Sequence, residues 1–400
     1  MGKFIVIKEL LNVRNKPSLK DENFIGALKL GEEVDLLDEP IEGEIPTGTN
    51  DSLWLSDTFN RFVSRAGVAE QGTYAAKKAE FLADGFNKPF FDESDKENES
   101  KWKISWGHID TEIWKIWRDH KTQGEGVKVA VIDTGSLSGM NDLNGQINTS
   151  NSFSFISFDN NVDDQDSLFH GTKSAGIIGA NGKNVNSVIG VAPKSNLVIY
   201  QLFSKSETLA GYTIDNFCLT LKKAREAKVD IISMSFCTFQ SNAALEKEIE
   251  LCLKQNILLI ASVGDVNQSQ GIVDAFPASI KGCFSIGAYR LDAQKRIIFK
   301  EFSSQSTNLN CLAPGENILT CGPDARPDMH QFTSASAPFV AGLFALIVSF
   351  RKKRGLPISP EMFFDKLSLA CTKIEESETP NTKEGFGILE AKKYFELLTI

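Results

Sequence analysis

The stretch Val127–Gly135, "VKVAVIDTG", decides the fold of this chain. It is a continuous apolar run, rich in β-branched residues and bounded by glycine, which is typical of a strand buried on both faces. The runs "NLVIYQLF" (196–203), "VDIISMSF" (229–236) and "NILLIASVG" (256–264) have the same character and alternate with helical stretches. Strands that alternate with helices form a parallel sheet covered by helices, so residues 101–400 are predicted to be an α/β domain.

The first 68 residues have a different pattern. Short β-prone runs separated by turn residues predict a small all-β barrel in residues 1–68. Residues 69–100 include most of the charged run "FDESDKENESK" (91–101), which is typical of a solvated linker, and we expect the domain boundary there. The sequence therefore predicts a β-barrel at 1–68, a polar linker at 69–100 and an α/β domain at 101–400.

The composition restricts the partners and the compartment. The 400 residues carry a net charge of −9, which argues against nucleic acid or an anionic membrane surface as the main partner. The longest apolar run, residues 338–350, is shorter than the roughly 18–20 residues of a membrane span and is expected to be a buried helix. The N-terminus shows no secretory signal, and the seven cysteines form no CxxC pair, so we expect a cytoplasmic protein with reduced thiols.

Four polar residues follow predicted strands or open helical stretches, where active sites of parallel α/β sheets form. Asp133 follows the first strand and Asp265 follows the fourth. His170 heads "HGTKSAGIIG", and Ser334 leads into the long apolar run. Three of these residues could act together in catalysis, but each also has a structural explanation when taken alone. Asp133 could cap a turn, His170 could be a structural histidine, and Ser334 could be a helix N-cap.

These residues lie in motifs that resemble those of the subtilisin family of serine proteases, in the family's order over residues 101–395. The matching motifs are "VAVIDTG" (129–135), "HGTKSAGIIG" (170–179), "GVAP" (190–193), "DIISMSF" (230–236), "LLIASVGD" (258–265), "FPASIKGCFSIGA" (276–288), "LAPGENILT" (312–320), "FTSASAPFVAG" (332–342) and "GFGILEA" (385–391). The resemblance implies a subtilisin-like fold and a serine endopeptidase with Asp133, His170 and Ser334 as its catalytic triad. A serine hydroxyl is a poor nucleophile, so it needs His170 as a base, and Asp133 to hold the imidazole in one tautomer.

The resemblance also places Asp265 where the family has the asparagine of the oxyanion hole, which it would form together with Ser334. An ionised carboxylate cannot donate a hydrogen bond, so Asp265 fills that role only when it is protonated. We therefore expect activity to peak at mildly acidic pH, with Asn267 as an alternative donor. Phe332 stands where the family has glycine, and we expect it to take an ordinary β-region conformation.

The strand that pairs with substrate in this family normally ends Ser-Leu-Gly. Here it reads Ser235-Phe236-Cys237, and the resemblance implies that these residues bind substrate, with Val263 and Gly264 on the opposite wall. Because Cys237 is larger than the family's glycine, we expect a preference for small side chains just before the cut.

Further expectations concern a metal and two surface segments. Asp142 and the loop "NGKNVNSVIG" (181–190) match calcium positions of the family, which favours a structural Ca²⁺. A polar loop without a metal is an equally open alternative. The expected reaction itself requires no cofactor. The acidic loop "DNNVDDQD" (159–166) is expected to be a solvated surface. Residues 1–68 resemble bacterial SH3-like domains through "LNVRNKPS", "IGALKLGEEVDLLDE" and "LWLSDTFNRFVS", with a generic β-barrel as the alternative.

Three functions stay open on the sequence alone. The first is an intracellular endopeptidase that acts on proteins or peptides, with the SH3-like domain binding a partner or the substrate. The second is a pseudoprotease, a peptide-binding scaffold in which Asp265 and Phe332 have abolished turnover. The third is a cell-wall binder that acts through the SH3-like module, which the lack of a secretory signal disfavours.

Overall fold

The computed structural model describes residues 2–8, 10–14, 16–20, 23–37, 40–46, 49, 51–59, 61–84, 103–137, 139–183, 187–265, 271–292, 297–299, 303–323, 326–374 and 380–400. The chain divides into two units, residues 1–100 and residues 101–400. Each unit has its own hydrophobic core, so the two are described separately.

Antiparallel strands build the N-terminal unit. Its elements are β1 (Gly2–Val6), β2 (Leu10–Arg14), β3 (Phe24–Lys29), β4 (Glu33–Leu36), β5 (Ile41–Glu42), β6 (Leu53–Ser56), β7 (Phe62–Ser64), β8 (Val68–Glu70) and α1 (Tyr74–Ala83). The strands form two sheets, with orders β4-β1-β8 and β3-β2-β7-β6-β5. Apolar residues of both sheets, among them Val6, Leu36 and Leu55, pack into one buried core. The unit is β-rich, as predicted, while its likeness to SH3-like domains stays a prediction.

The predicted linker begins too early. Strand β8 pairs with β1, and Ala76 and Ala79 of α1 are buried against Ile5 because they lie on the same face of the helix. Residues 69–84 therefore belong to the N-terminal unit, and the linker prediction is wrong for them. The rest of the predicted linker, residues 85–100, lies outside the described residues.

A parallel sheet flanked by helices builds the second unit. Its helices are α2 (Trp106–Asp110), α3 (Ile113–His120), α4 (His170–Gly179), α5 (Ile214–Glu226), α6 (Ala243–Lys254), α7 (Thr333–Lys353), α8 (Pro360–Leu367) and α9 (Ala391–Thr399). Its strands are β9 (Lys128–Asp133), β10 (Phe153–Ser154), β11 (Asn196–Gln201), β12 (Ile231–Met234), β13 (Leu258–Ser262), β14 (Cys283–Leu291), β15 (Ile297–Ile298), β16 (Cys311–Pro314), β17 (Ile318–Cys321), β18 (Pro327–His330), β19 (Cys371–Thr372) and β20 (Ile388–Leu389). The main sheet has the order β10-β11-β9-β12-β13-β14-β16-β20-β19, and β15 pairs with β14.

The four apolar runs seen in the sequence are neighbouring strands of this sheet, in the order β11, β9, β12 and β13, and they are parallel to one another. The prediction of a parallel α/β sheet is therefore confirmed. Every residue of β12 and β13 is buried, and Ile232 and Met234 share a core cluster with Phe217 of α5 and Leu245 of α6. Because the strands are parallel, their carboxyl ends lie at one edge of the sheet.

Helix α7 explains the long apolar run near the C-terminus. Residues 335–351 of this helix are all buried, and it packs against β12, β13 and β14. Gly342 lets the helix also pack closely on Val191, since an added Cβ would lie 2.5 Å from the Cβ of Val191. The helix is long and apolar enough to cross a membrane, but 94% of its most apolar window is buried inside the domain. The prediction of a buried helix is confirmed.

Candidate active site

A cavity of about 450 Å³ lies beside the carboxyl ends of β12 and β13. Its lining includes His170, Phe203, Leu209, Ser235, Phe236, Cys237, Phe239, Asp265 and Ser334. The sheet edge and the first turns of α4 and α7 thus bring together residues that are far apart in the chain.

Asp133 and His170 form a hydrogen-bonded pair at this cavity. Asp133 ends β9 and has no exposed surface, and its Oδ1 lies 2.7 Å from His170 Nδ1. The N–H of Thr134 donates to the same oxygen at 2.7 Å. Burial lowers the pKa of His170, but the charge of Asp133 and its hydrogen bond outweigh burial and raise this pKa above its ordinary value. The pair therefore favours a proton on Nδ1 and stabilises a positive charge on the imidazole.

Ser334 is the second residue of α7 and not its cap. The helix begins at Thr333, and the cap position is occupied by Phe332, whose side chain makes no cap hydrogen bond. The alternative of Ser334 as an N-cap is therefore wrong. Its hydroxyl lines the cavity and donates to the carbonyl oxygen of Ser235 at 3.1 Å. Catalytic hydrogen bonds are often poorly aligned without substrate, so this bond is compatible with Ser334 as a nucleophile.

Phe332 takes a backbone conformation that normally belongs to glycine. Its φ is 61° and its ψ is −152°, so the prediction of an ordinary β-region conformation is wrong. The Phe332 carbonyl oxygen accepts the N–H of Ala335 at 3.0 Å. The same oxygen lies close to Gly315, where an added Cβ would be only 2.8 Å from it. The hydrogen bonds at the start of α7 thus hold Phe332 in a conformation that costs about 1–3 kcal/mol.

Asp265 follows β13 and faces the start of α7. Its Oδ1 accepts the N–H of Thr333 at 2.9 Å and the Thr333 hydroxyl at 2.6 Å. The side chain keeps an exposed face in the cavity, yet the surrounding protein desolvates the carboxyl group and raises its pKa, while the Thr333 donors act in the opposite direction. A raised pKa favours the protonated form that can donate a hydrogen bond. Asn267, the alternative donor, lies outside the described residues.

The predicted substrate strand borders the cavity. Ser235, Phe236 and Cys237 all contribute to its lining. The Cys237 sulfur lies beside Gly264, where an added Cβ would be 3.2 Å from it. Like the other six cysteines, Cys237 is a free thiol, and burial raises its pKa to about 11. Its side chain is therefore a neutral group that fills space between the two walls.

Two predictions about the surroundings of the cavity are wrong. Val263 is 1% exposed and packs with Tyr289 in a core cluster, so its side chain points away from the cavity that we expected it to line. The acidic loop is not simply solvated, because Asp164 and Asp166 are buried. Asp164 Oδ2 accepts the N–H and the hydroxyl of Thr172 at 2.9 and 2.7 Å, which holds the first turn of α4 in place.

Two residues that the sequence analysis did not single out lie behind the Asp133–His170 pair. Ser174 of α4 donates its hydroxyl to Asp133 Oδ2 at 3.1 Å. The Nε2 atom of His330 lies 3.2 Å from the Ser174 hydroxyl oxygen. Helical spacing from His170 was a signal for Ser174, since residues four apart share a helix face. No signal pointed to His330, which is 156 positions from Ser174.

Asp142, the expected calcium ligand, is hydrogen-bonded to protein donors. Its carboxylate accepts the hydroxyl of Ser187 and the N–H of Val188. Burial raises its pKa, which disfavours the charged form that a cation needs. The described residues contain no cluster of three His, Cys, Asp or Glu side chains able to hold a metal, and residues 184–186 of the predicted loop lie outside them. The structural Ca²⁺ and the role of Asp142 as its ligand therefore stay predictions.

Known proteins resemble the second unit. The model of the subtilase family matches residues 124–387. An intracellular serine protease of Paenibacillus polymyxa is 31% identical over 300 residues, which cover 68% of this chain and 87% of that protein. The major intracellular serine protease of Bacillus subtilis (strain 168) is 30% identical over 237 residues, which cover 58% of this chain and 71% of that protein.

Solved structures of other proteins are similar in fold to this chain. Fervidolysin from Fervidobacterium pennivorans, a keratinolytic enzyme related to subtilisin, superposes with a TM-score of 0.62 at 20% identity, over 73% of this chain and 45% of that chain. The prenylagaramide maturation protease PagA gives a TM-score of 0.58 at 25% identity, over 72% of this chain and 98% of that chain. The match to fervidolysin spans less than half of that protein and shows the fold alone. Because the family model matches more than half of this chain, the chain belongs to the subtilase family and is a subtilisin-like serine protease, which is a hydrolase.

Proposed function

We propose that the chain is a serine endopeptidase that cleaves protein or peptide substrates through Ser334, His170 and Asp133. The observation that carries this proposal is the 2.7 Å contact between Asp133 Oδ1 and His170 Nδ1, next to a cavity lined by both His170 and Ser334. Since Asp133 engages Nδ1, the Nε2 atom of His170 is left to accept the proton of Ser334. Membership of the family supports the same assignment, because the three residues stand in its motifs.

In the proposed reaction, Ser334 Oγ attacks the peptide carbonyl carbon while its proton passes to His170 Nε2. The start of α7 and a protonated Asp265 stabilise the negative charge on the tetrahedral oxygen. The C–N bond then breaks, the amine leaves with the proton from His170, and water hydrolyses the acyl-enzyme by the same route. The substrate binds as an extended strand along residues 235–237, where Cys237 restricts the side chain before the cut. The chemistry requires no cofactor.

We also propose a cytoplasmic location and a partner-binding role for the N-terminal unit. Two relatives are named intracellular serine proteases, which supports the location. The two small antiparallel sheets of the N-terminal unit support an SH3-like barrel, which would bind a protein partner or the substrate.

The experiment that tests the endopeptidase proposal is labelling with a fluorophosphonate probe between about pH 5 and pH 9. We expect the wild-type protein to be labelled and the Ser334→Ala variant to remain unlabelled, because the probe reacts only with an activated serine. Cleavage of a protein substrate at internal bonds, absent in the same variant, identifies an endopeptidase. Labelling that persists in Ser334→Ala contradicts the assignment of the nucleophile.

A pseudoprotease is the second candidate, and one observation favours it. The Ser334 hydroxyl donates to the carbonyl oxygen of Ser235, so its hydrogen bond is not directed at the imidazole of His170. The strained Phe332 and the carboxylate of Asp265 would each slow turnover further. An unlabelled wild-type protein that still binds an extended peptide along Ser235 supports this scaffold function instead of the endopeptidase.

A further inference from the structure

Asp133 has donors on both of its carboxylate oxygens. Oδ1 accepts the Thr134 N–H and faces His170 Nδ1, both at 2.7 Å. Oδ2 accepts the Ser174 hydroxyl at 3.1 Å, and among the described residues no Lys or Arg forms an ion pair with this carboxylate. A buried carboxylate depends on such donors, because no water replaces them. The Ser174 bond therefore determines how firmly the Oδ2 side of Asp133 is held.

The hydroxyl of Ser174 has one proton and two neighbours. Its oxygen lies 3.1 Å from Asp133 Oδ2 and 3.2 Å from His330 Nε2. An ionised Asp133 only accepts, so both contacts of Ser174 are hydrogen bonds only when Ser174 donates to Asp133 and His330 donates from Nε2 to the Ser174 oxygen. If His330 carried its proton on Nδ1, its Nε2 would compete with Asp133 for the single Ser174 proton, and only one of the two contacts would be a hydrogen bond. The tautomer of His330 thus sets the direction of the Ser174 bond.

We propose that Ser174 and His330 are positioning residues of the protease: His330 donates from Nε2 to Ser174, which fixes the Ser174 hydroxyl as a donor to Asp133 and so orients the carboxylate that holds His170. The proposal rests on the proposed function of Asp133 and His170. It deepens that function, because it adds two buried positioning side chains behind Asp133, one on α4 and one on β18.

The surroundings of His330 keep it neutral. It is 5% exposed, its ring lies edge to face against His170 at 4.8 Å, and α4 also presents Lys173. Burial and these two positive neighbours hold the pKa of His330 well below its ordinary value. On its own strand, Asp328 forms an ion pair with Lys173 at 2.8 Å, and the paired strand β17 adds the buried thiol of Cys321. A neutral His330 has one N–H, as the proposed relay requires.

The environment of His170 also matters for any pH measurement. Three carboxylates near it, Asp133, Asp164 and Asp166, raise its pKa, against the effect of burial. Asp265, which follows β13, also interacts electrostatically with His170, and burial raises the pKa of Asp265. A loosely held Asp133 would stabilise the imidazolium less, while the other carboxylates would be unchanged. Loss of positioning is therefore expected to move the His170 limb of the pH profile to lower pH.

The kinetic test compares Ser174→Ala, His330→Phe and His330→Gln with the wild type. His330→Phe keeps a buried ring but removes the donor, whereas His330→Gln keeps a donor and serves as the matched rescue. Each rate is divided by the fraction of protein that reacts with the fluorophosphonate probe, so that a loss of folded protein does not change the result. We expect Ser174→Ala and His330→Phe to lower kcat about tenfold with little change in KM, and to move the acidic limb of kcat/KM to lower pH.

The rescue variant and an NMR measurement complete the test. His330→Gln is expected to regain most of the rate that His330→Phe loses. An acidic limb that stays in place or moves upward in Ser174→Ala overturns the proposal, as does an unchanged rate per labelled site. The chain has four histidines, so ¹⁵N NMR of the full-length Ser334→Ala variant can assign the His330 tautomer without any turnover. A proton on Nε2 supports the relay and a proton on Nδ1 overturns it, whereas a wild type that the probe does not label overturns the proposed function.

Discussion

Replacement of Asp265 by asparagine changes one group at the cavity and tests the proposed oxyanion hole. Oδ1 of Asp265 already accepts both the N–H and the hydroxyl of Thr333, at 2.9 and 2.6 Å. An asparagine can keep both bonds with its amide oxygen and place its NH₂ group where Asp265 has Oδ2. The substitution therefore adds a permanent donor and leaves the contact with α7 in place.

The size of the effect depends on the protonation state of the wild type. Removal of one oxyanion-hole donor lowers kcat by about 10²–10³, a magnitude measured in a subtilisin and adopted for this family member. An ionised Asp265 lacks that donor, and a protonated Asp265 supplies it. We therefore expect Asp265→Asn to exceed the wild-type kcat by about 10²–10³ at alkaline pH and to approach it in acid.

The sign of the pH dependence follows from two raised pKa values. Burial raises the pKa of Asp265, so the donor is present in acid and is lost as pH rises through that value. The charge of Asp133 overcomes the effect of burial and raises the pKa of His170, so the base is lost as pH falls through that value. The wild type should show a narrow profile on the acidic side, and Asp265→Asn a plateau above the His170 limb.

The assay is kcat for a chromogenic peptide between about pH 5 and pH 9, divided by the active-site titre. Asp265→Ala is the matched control, because it removes the charge without adding a donor. Ser334→Ala gives the background rate. A ratio between Asp265→Asn and wild type that stays constant across this range would refute the reasoning, since it would show that protonation of Asp265 plays no part.

The same substitution has a consequence for stability, which is measured in a Ser334→Ala background to prevent self-digestion. The folded state raises the pKa of Asp265, so the stability linked to its protonated form is present below the unfolded pKa and is lost as pH rises through the folded pKa. Asp265→Asn should therefore unfold at a higher temperature than the wild type near neutral pH, with the two converging in acid. A less stable variant at neutral pH contradicts the desolvation argument.

Three further substitutions test individual features of the structure. Phe332→Gly should raise the free energy of unfolding by about 1–2 kcal/mol, because relief of the strained backbone exceeds the entropic cost of glycine, whereas Phe332→Ala should not; urea unfolding decides this. Cys237→Gly should shift a peptide-library profile toward larger side chains before the cut, and an unchanged profile contradicts the role of the thiol. Val263→Ala should destabilise the fold by about 2–3 kcal/mol but leave that profile unchanged, since Val263 packs in the core.

The parts of the fold that were predictable are those that depend on local patterns. The apolar runs were identified as strands because residues buried on both faces must be apolar along their whole length, and β9, β12 and β13 are such strands. The positions of Asp133 and Asp265 at the carboxyl edge of the sheet follow from parallel strand order alone. Ser334 was located by its motif, although the N-cap of the helix is Phe332, two residues before it.

The features that were not predictable depend on tertiary contacts, or on tertiary packing that overrides the usual conformational preference of a residue. A phenylalanine is expected at negative φ, and only the packing of its carbonyl against Gly315 and the first turn of α7 shows why Phe332 departs from this. Val263 lies two residues before Asp265, and only the structure shows that Asp265 lines the cavity while Val263 packs in the core. The Ser174–His330 contact joins two distant segments, and no periodicity marks such a pair.

The start of α7 links the unusual residues of this site into one electrostatic arrangement. The first N–H groups of a helix have no acceptor within it, and Asp265, in the segment after β13, supplies one for Thr333. The partial positive charge at this helix end favours an oxyanion beside Ser334, but for the same reason it favours the ionised form of Asp265. The field that stabilises the transition state therefore opposes the protonation that would make Asp265 a donor. Replacing Asp265 by asparagine removes this opposition, because the amide donates without being protonated. Replacing Phe332 relieves backbone strain but leaves the charge at the helix end, so the opposition between the helix field and the protonation of Asp265 stays.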